Sequence, residues 1–371
     1  MSSGGQPIVI DSGTAVVKAG FAGSNRPECV FPNYVGAPKH TRVMCGELDG
    51  DSFVGQKAQE HRGVLALRYP MECAAVTDWA DMERVWSHVY GPYQLNADPA
   101  EHSVLMTEPA LATPSSRRRA AEIFFETFNA PGIHFAMQGL LGLYATGRTT
   151  GVVCDSGEGA TQAIAACEGY VIPACTNRID IAGKEVTKYL KTLLRAELST
   201  SYNILSDYEA IKDIKEKICF VRSAETDKIK PKIKSPSFTL PDGISVQIKG
   251  ARYEAPELLF RPDIIGDESP GVQEILTDSI RNADVDLRRI LCQNIVVSGG
   301  TSLMPGYNAR LFDEVKKILP KNVQIKIAAP KERSVAVWIG GSVLALLDTF
   351  NRTLVTKADY YEHGPSILRP S

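Results

Sequence analysis

Long apolar runs are missing from this sequence of 371 residues, although 44% of them are hydrophobic. No stretch approaches the roughly 18 apolar residues that a membrane-spanning helix needs, and no charged start followed by an apolar segment marks a signal peptide. An excess of charge is missing too, because 41 Lys and Arg face 43 Asp and Glu, for a net charge of −2. The composition predicts a soluble globular protein of the cytosol, without direct membrane insertion or a general attraction to nucleic acid.

Closely spaced cysteines are also missing. The eight cysteines are scattered along the chain and form no C-x-x-C pair. Dispersed cysteines in otherwise regular segments, such as Cys154 and Cys219, are typical of reduced thiols in an intracellular compartment. This spacing argues against a zinc site.

The familiar nucleotide-binding loops are absent, but a repeated phrase takes their place. Neither a G-x-x-x-x-G-K-[ST] P-loop nor a kinase-type Gly-rich loop occurs, so any ATP site must have another design. An apolar run reaches Asp-Ser-Gly twice, as IVIDSG at 8–13 and as VVCDSG at 152–157. Each copy continues into a second β-like run, at 16–22 and at 161–166, which predicts a strand, a tight turn and a returning strand.

The repeat has a chemical interpretation. Two glycine turns presented across a cleft would hold a polyphosphate by their backbone N–H groups, while Asp11 and Asp155 would supply oxygen atoms for Mg²⁺ and its retained waters. Lys18 lies inside a β-like run and needs a partner, which a phosphate would provide. One copy alone is ordinary hairpin chemistry. Two copies in matched apolar contexts favour two similar halves facing one nucleotide.

A third glycine site follows the β-branched strand in NIVVSGGTSLMPG, 294–306. Gly299 and Gly300 would let a flat ligand approach the backbone there, or would only turn the chain.

Strands and helices alternate along the chain, which predicts an α/β protein with mixed sheets. Apolar periodicity and start signals predict helices at 117–128, after Thr113-Pro114-Ser115, at about 207–220 and at 272–283. Two polar stretches, 40–52 and 224–234, are predicted to be mobile surface loops.

Longer stretches resemble the actin superfamily over essentially the whole chain. They are IDSGTAVVKAGFAG at 10–23, FPNYVGAPKH at 31–40, RYPMECAAVTDWADMERVW at 68–86, LYATGRTTGVVCDSGEG at 143–159, IKEK at 214–217 and VWIGGSVLALLDTF at 337–350. Within the superfamily the chain is most similar to the centractins, which form the short filament of dynactin. That likeness rests on FPNYVG with KHTRVM at 31–44, QKAQEHRG at 56–63, RIDIAGKEV at 178–186 and APELLFRPDIIGDES at 255–269. A divergent conventional actin is the alternative.

The resemblance implies the actin-like fold, with two related lobes around a nucleotide cleft and four subdomains. Subdomain 1 would comprise 1–32, 70–145 and 335–371, subdomain 2 would be 33–69, subdomain 3 would be 146–181 and 270–334, and subdomain 4 would be 182–269.

The resemblance also implies ATP or ADP with Mg²⁺ in the cleft. Asp11, Gln138 and Asp155 would arrange the water shell of the metal. The phosphates would be held by Ser12, Gly13, Thr14, Lys18, Ser156, Gly157, Glu158 and Gly159. The adenosine would lie against Gly183, Lys215, Glu216, Gly299, Gly300, Thr301 and Met304. From the residues alone, Lys215 and Glu216 would be a solvated helix face.

Hydrolysis in this family requires a water aligned with the terminal phosphorus, and the implied catalytic residues are Gln138, Asp155 and Gln162. Two of the site residues depart from the family pattern: Gln162 stands where a histidine is usual, and Glu158 where an aspartate is usual. An amide can orient water but is a poor proton acceptor. We therefore expect at most slow ATP hydrolysis, coupled to filament assembly.

The partners implied by the resemblance begin with the chain itself. Self-assembly into filaments would use the 40–52 loop and an apolar plug at 260–271, although the apolar pair Ile264-Ile265 would also suit a local core contact. The centractin likeness adds capping protein, other dynactin subunits, dynein and cargo adaptors as partners. It also implies a role in microtubule-based transport, with the protein located in the cytoplasm, in the cytoskeleton and at the centrosome. Myosin binding is not expected, because the start MSSGGQP lacks an acidic cluster.

A second function class stays open. Sugar kinases share the architecture of the nucleotide cleft and also carry paired phosphate turns. Such a phosphotransferase would need an acidic base that faces a small-molecule pocket, and no convincing motif for one is present in the sequence.

Overall fold

The computed structural model describes residues 5–39, 51–198, 207–223, 237–239 and 245–368. The chain divides into two compact units, which we call unit 1 (Met1–Arg148 with Val335–Ser371) and unit 2 (Thr149–Ser334). The predicted loops at 40–52 and 224–234 lie outside the described residues, apart from Asp51 and Ser52.

The strands are β1 Gly5–Ser12, β2 Val16–Phe21, β3 Cys29–Pro32, β4 Val35–Pro38, β5 Phe53–Val54, β6 Leu65–Arg68, β7 Met71–Glu72, β8 Ala75–Val76, β9 His102–Glu108, β10 Gly132–Met137, β11 Gly151–Ser156, β12 Thr161–Cys167, β13 Tyr170–Ile179, β14 Ser237–Thr239, β15 Ser245–Gln247, β16 Ile295–Ser298, β17 Ile327–Ala328 and β18 Val355–Thr356.

The helices are α1 Gln56–Glu60, α2 Trp79–Tyr90, α3 Pro114–Glu122, α4 Gln138–Tyr144, α5 Gly183–Leu198, α6 Tyr208–Ile218, α7 Ala251–Glu254, α8 Val272–Arg281, α9 Val285–Gln293, α10 Tyr307–Ile318, α11 Ala336–Ala345, α12 Phe350–Thr353 and α13 Lys357–His363. Short 3-10 turns lie at Pro99–Glu101, Ala255–Leu259, Pro262–Ile265, Gly300–Leu303 and Gly364–Ile367.

Unit 1 is built on a six-stranded sheet in the order β18-β10-β9-β1-β2-β3. β1, β2 and β3 are antiparallel neighbours, whereas β1, β9 and β10 run parallel. Ile8, Val9 and Ile10 of β1 are fully buried, as expected of a strand covered on both faces. Trp338 of α11 donates its indole N–H to the carbonyl oxygen of Val9 at 3.0 Å, which fixes this helix on the sheet.

A smaller three-stranded sheet, β5-β4-β6, lies within the same unit. It has a small core of its own, formed by Tyr34, Phe53, Ala58 and Leu65. The finer division of the chain into four subdomains stays a prediction.

Unit 2 is built on a five-stranded sheet in the order β13-β12-β11-β16-β17. β11, β12 and β13 are antiparallel neighbours, and β11, β16 and β17 run parallel. The same order and directions occur in unit 1 as β3-β2-β1-β9-β10. The predicted repeat of strand, turn and returning strand is therefore confirmed, because β1–β2 and β11–β12 hold the same place in their sheets.

The three helix predictions are confirmed, with small changes at the ends. The predicted helices at 207–220 and 272–283 are α6 and α8. The helix predicted at 117–128 begins earlier, at Pro114, because the hydroxyl of Thr113 caps it by accepting from the Ser116 N–H at 3.3 Å. It continues beyond α3 as a π-helical turn, Ile123–Thr127. Within the described ranges, no helix combines the length and apolarity that crossing a bilayer requires.

Candidate functional site

The hairpin of unit 1 gathers polar side chains at the carboxyl ends of neighbouring strands. Register pairs Asp11 of β1 with Lys18 of β2, and the Lys18 ammonium donates to Asp11 Oδ2 at 2.9 Å. Asp11 Oδ1 accepts from the hydroxyl of Thr107, near the end of β9, at 2.8 Å. It also accepts from the amide of Gln138, the first residue of α4, at 3.3 Å. The predicted residues Asp11, Lys18 and Gln138 thus form one cluster around a carboxylate that is 2% exposed.

The turn that follows β1 is fixed by four bonds. The Gly13 N–H donates to the carbonyl oxygen of Val16 at 3.1 Å, and the carbonyl oxygen of Gly13 accepts from the side chain of Asn33 at 2.8 Å. The hydroxyl of Ser12 accepts from the indole N–H of Trp86 at 3.0 Å. Thr14 accepts from the Ala74 N–H at 3.2 Å. These four bonds set the conformation of the turn.

The hairpin of unit 2 repeats this geometry with a different partner. Register pairs Asp155 of β11 with Gln162 of β12, seven positions further on, as Lys18 is from Asp11. The Gln162 amide donates to Asp155 Oδ2 at 3.4 Å, and Gln162 is 2% exposed. Beyond Ser156, the Gly157 N–H donates to the carbonyl oxygen of Ala160 at 3.0 Å. A cation opposes the first carboxylate and a neutral amide opposes the second.

Several elements of unit 2 converge on Gly183, the first residue of α5. Its N–H donates to the carbonyl oxygen of Gly157 at 3.1 Å, and the hydroxyl of Thr301 donates to the same oxygen at 2.7 Å. A Cβ on Gly183 would lie only 2.3 Å from Glu158 Oε2 and 2.6 Å from Thr301 Oγ1. No side chain fits at Gly183, so the turn, the helix and the 3-10 turn can meet there.

Lys215 reaches the same point from α6. Its ammonium donates to Glu158 Oε2 at 2.7 Å and to the carbonyl oxygen of Gly183 at 2.9 Å, and its side chain is 3% exposed. The interpretation of Lys215 as a solvated helix face is therefore wrong, because the helix turns this residue inward. Glu216, by contrast, is exposed.

The other oxygen of Glu158 is also bonded. Glu158 Oε1 accepts from the hydroxyl of Tyr208, the first residue of α6, at 2.9 Å. Burial opposes ionisation of Glu158, but the charges of Lys215 and Lys212 outweigh it and hold the pKa of this carboxyl below its usual value. Burial, together with the Glu158 charge, raises the pKa of Tyr208. The group is thus an ionised pair with a neutral phenol.

The third glycine site lies where β16 ends beside β11. Gly299 has a left-handed φ of 90°, and a Cβ there would lie 2.2 Å from the carbonyl oxygen of Ser156. A Cβ on Gly300, by contrast, would meet nothing within 4 Å. Thr301 and Met304 close the following 3-10 turn, the Met304 N–H donating to the carbonyl oxygen of Thr301 at 3.3 Å. Glycine is therefore required at position 299 for close backbone packing, whereas the space beside Gly300 is open.

The sequence did not reveal four residues of this site: Asn33, Thr107, Tyr208 and Tyr307. Tyr307 is fully buried and its hydroxyl lies 2.7 Å from that of Ser156. Thr107 and Tyr208 bond predicted site carboxylates across 96 and 50 residues of chain. Only Thr107 has a signal in the sequence, because it is a polar residue near the end of an apolar strand run. Once β9 is known to pair in parallel with β1, Thr107 is expected beside the end of β1.

The chemistry open to these residues is the binding of anions and hydrated cations. Backbone N–H groups at glycine turns suit phosphate oxygens. In the part of the chain that the structure describes, no three His, Cys, Asp or Glu side chains group into a metal cage. A divalent ion near Asp11 or Asp155 would therefore keep most of its water ligands, as Mg²⁺ prefers.

Known proteins match this chain along nearly its whole length. The family model described as Actin matches residues 3–370. A protein of Neurospora crassa described as "Actin-like protein" is 46% identical over 370 residues, which cover 98% of this chain and 97% of the Neurospora protein.

Proposed function

The chain belongs to the actin family, and from this premise we propose that it is an ATP-binding, filament-forming, actin-related protein of the cytoskeleton. Proteins of this family bind a nucleotide together with a divalent metal ion. The observation that carries the proposal is the matched pair of hairpins, in which Asp11 and Asp155 hold equivalent strand positions ahead of a glycine turn.

The residues present fit a nucleotide. Glycine turns of this kind suit phosphate oxygens through the backbone N–H groups at their tips, while the Gly13 and Gly157 N–H groups close the turns themselves. Gly183 lies where no side chain fits. In unit 1 the proposed phosphate ligands are Ser12, Gly13, Thr14 and Lys18; in unit 2 they are Ser156, Gly157, Glu158 and Gly159, with Gly183, Lys215, Glu216, Gly299, Gly300, Thr301 and Met304 toward the adenosine. Bound Mg²⁺, with its waters set by Asp11, Gln138 and Asp155, would neutralise phosphate charge.

Slow hydrolysis follows from the residues proposed to handle water. Gln138 is held by its bond to Asp11 and would orient a water molecule. Gln162 bonds Asp155 through an amide, which supplies no base near neutral pH. Turnover therefore depends on positioning more than on proton abstraction.

An exposed apolar tip supports filament assembly. Ile264 and Ile265 are 38% and 45% exposed at the end of the 3-10 turn Pro262–Ile265, which Gly266 closes with a left-handed φ of 77°. A local core contact would bury these side chains. Two adjacent exposed isoleucines on a rigid turn instead suit an interface.

Within the family, we propose a centractin-type role in the filament core of a dynactin complex. The support is the sequence similarity to centractins at 31–44, 56–63, 178–186 and 255–269. This role implies capping protein, other dynactin subunits, dynein and cargo adaptors as partners, with microtubule-based transport in the cytoplasm and at the centrosome. A divergent conventional actin is the alternative, and a sugar-kinase-like phosphotransferase the second.

Electron microscopy of the purified protein with Mg²⁺ and ATP tests the proposal. We expect two-stranded filaments, and short rods of narrow length would support the centractin-type role. Long polymers of broad length would favour the divergent actin. Single particles under every nucleotide, with and without capping protein, would contradict filament formation, and phosphate transfer to sugars would then be assayed.

A further inference from the structure

The side chain of Glu158 does not suit a phosphate ligand, although the residue lies in the proposed phosphate turn of unit 2. Its backbone carbonyl accepts from the Lys184 N–H at 2.8 Å, so the residue is held against the start of α5. Its carboxylate is 13% exposed and accepts from both Lys215 and Tyr208. A carboxylate carries no donor for a phosphate and would repel one.

The Lys215 ammonium is almost fully buried, which is costly for a charge without a partner. Glu158 supplies the opposite charge at 2.7 Å. Two of the three ammonium N–H groups of Lys215 donate within the protein, one to the Glu158 carboxylate and one to the carbonyl oxygen of Gly183. The third N–H is available for an acceptor on a ligand.

Tyr208 completes the arrangement. It precedes Lys215 by two turns of the same helix, and its hydroxyl holds the second oxygen of Glu158 at 2.9 Å. The carboxylate is thereby fixed at both oxygens and cannot rotate away from Lys215. The three side chains together carry no net charge.

We propose that Tyr208 and Glu158 are positioning residues that hold the buried Lys215 ammonium toward the uncharged, nucleoside part of the ligand, and that the side chain of Glu158 takes no part in binding phosphate, which is left to the backbone of the turn. The proposal rests on the proposed ATP-binding function and assigns Glu158 a different task within it. The neutral group leaves the charged part of the nucleotide to the backbone N–H groups of the turns. Glycine at position 183 is a condition of the arrangement, because a Cβ there would lie 2.3 Å from Glu158 Oε2 and 3.1 Å from the Lys215 ammonium.

The test compares three probes on the full chain: ATP, adenosine and inorganic tripolyphosphate, each displacing a fluorescent ATP analogue. In Tyr208→Phe, which removes a single hydroxyl, we expect the affinities for ATP and adenosine to fall together by about fivefold, with tripolyphosphate unchanged. Glu158→Gln should show the same pattern more strongly. A change in tripolyphosphate affinity, in either variant, or unchanged affinity for adenosine would overturn the proposal.

A pH series separates positioning from a general loss of structure. In Glu158→Gln the buried Lys215 ammonium has lost its counter-charge, which makes the charged form costly to keep in the interior, so ATP affinity in this variant should fall as the pH rises from about 7 to 9, whereas wild type stays constant. Glu158→Asp keeps the charge and should restore the constant profile. The other titratable groups that act here are Tyr208, Lys212, Glu216 and Cys219, and all are present in every variant except Tyr208→Phe.

Binding of ATP by the wild-type protein distinguishes failure of this inference from failure of the proposed ATP-binding function. A wild-type protein that does not bind ATP would remove the ATP-binding function and this inference with it. A wild-type protein that binds ATP, with a pH profile shared by Glu158→Gln, would remove the inference alone.

Discussion

At the scale of single residues, the two hairpins differ most in what opposes their carboxylates. Asp11 faces the ammonium of Lys18, while Asp155 faces the amide of Gln162. The same backbone register thus produces an ion pair in one unit and a neutral hydrogen bond in the other. The second arrangement has no group that titrates near neutral pH opposite the aspartate.

Replacing Gln162 with histidine should supply the missing base. We expect phosphate release by Gln162→His, with ATP and Mg²⁺, to rise by about tenfold or more at pH 7.5. The gain should disappear below about pH 6.5, where the imidazole is protonated. Gln162→Asn, which cannot titrate, is the matched control. Equal rates in wild type and Gln162→His would remove Gln162 as the cause of slow turnover.

His88 links stability to pH through its burial. The ring packs edge-on against Phe31 at 4.9 Å, and burial lowers the pKa of His88. The unfolded chain therefore binds a proton more readily than the folded one, and this contribution to stability is present above about pH 6.5 and is lost as the pH falls. We expect His88→Gln to show a smaller fall in melting temperature between pH 7 and 5 than wild type.

The control for this melting experiment is His363→Gln, because His363 is exposed in the folded protein. It should retain the wild-type slope of melting temperature against pH. If His88→Gln and His363→Gln gave the same slope, burial of His88 would not contribute.

How much of the site could be predicted depends on how far apart its partners lie in sequence. Lys18 lies seven positions after Asp11, and Gln162 seven positions after Asp155, so each hairpin brings its own pair together without a long-range contact. The bond between Glu158 and Lys215 spans 57 residues, and no local pattern distinguishes Lys215 from its solvated neighbours. Only the packing of α6 decides which of its charged residues faces inward.

At the scale of elements, glycines at the ends of strands set how closely strands and turns approach. Gly299→Ala would force a non-glycine residue into a left-handed φ and against the carbonyl oxygen of Ser156. We expect a loss of about 3 kcal/mol or more in the free energy of unfolding, measured by urea denaturation followed by far-ultraviolet circular dichroism.

The neighbouring glycine provides the matched control. Gly300→Ala meets nothing within 4 Å and should change stability by less than about 0.5 kcal/mol. It should nevertheless weaken ATP binding by about tenfold, because its methyl group would cover the face proposed to contact adenine. Equal destabilisation by both variants would contradict the distinction drawn between the two glycines.

The fold was predictable at this scale because apolar runs and glycine turns are local signals. The strand pairs at 8–22 and 152–166 were predicted, as were the helices α3, α6 and α8. The prediction for α3 begins at 117, later than the helix itself, because Pro114 and the cap at Thr113 lie ahead of its apolar run. Parallel partners such as β9 and β16 could not be assigned, because pairing across many residues depends on tertiary packing.

At the scale of the whole molecule, assembly should depend on the exposed tip. The double variant Ile264→Asp with Ile265→Asp should raise the critical concentration for filament formation by about tenfold or more, because charge replaces an apolar contact at an interface. Sedimentation and electron microscopy would measure it. The matched control, Val30→Asp, changes a residue on β3 that is 56% exposed and should assemble like wild type. Normal assembly of the double variant would exclude the tip from the interface.

The shared order of five strands in the two units has a practical consequence for protein engineering. In chain order, the five equivalent strands are β1, β2, β3, β9 and β10 in unit 1 and β11, β12, β13, β16 and β17 in unit 2. A long excursion separates the third strand from the fourth in each unit, at 33–101 and at 180–294. Both sheets thus have the same strand order although a long stretch of chain lies at this crossover in each. Exposed loops within these two excursions, away from the helices and from site residues such as Asn33, Gly183 and Lys215, are places where a fluorescent tag or an affinity peptide can be added while both sheets keep their pairing.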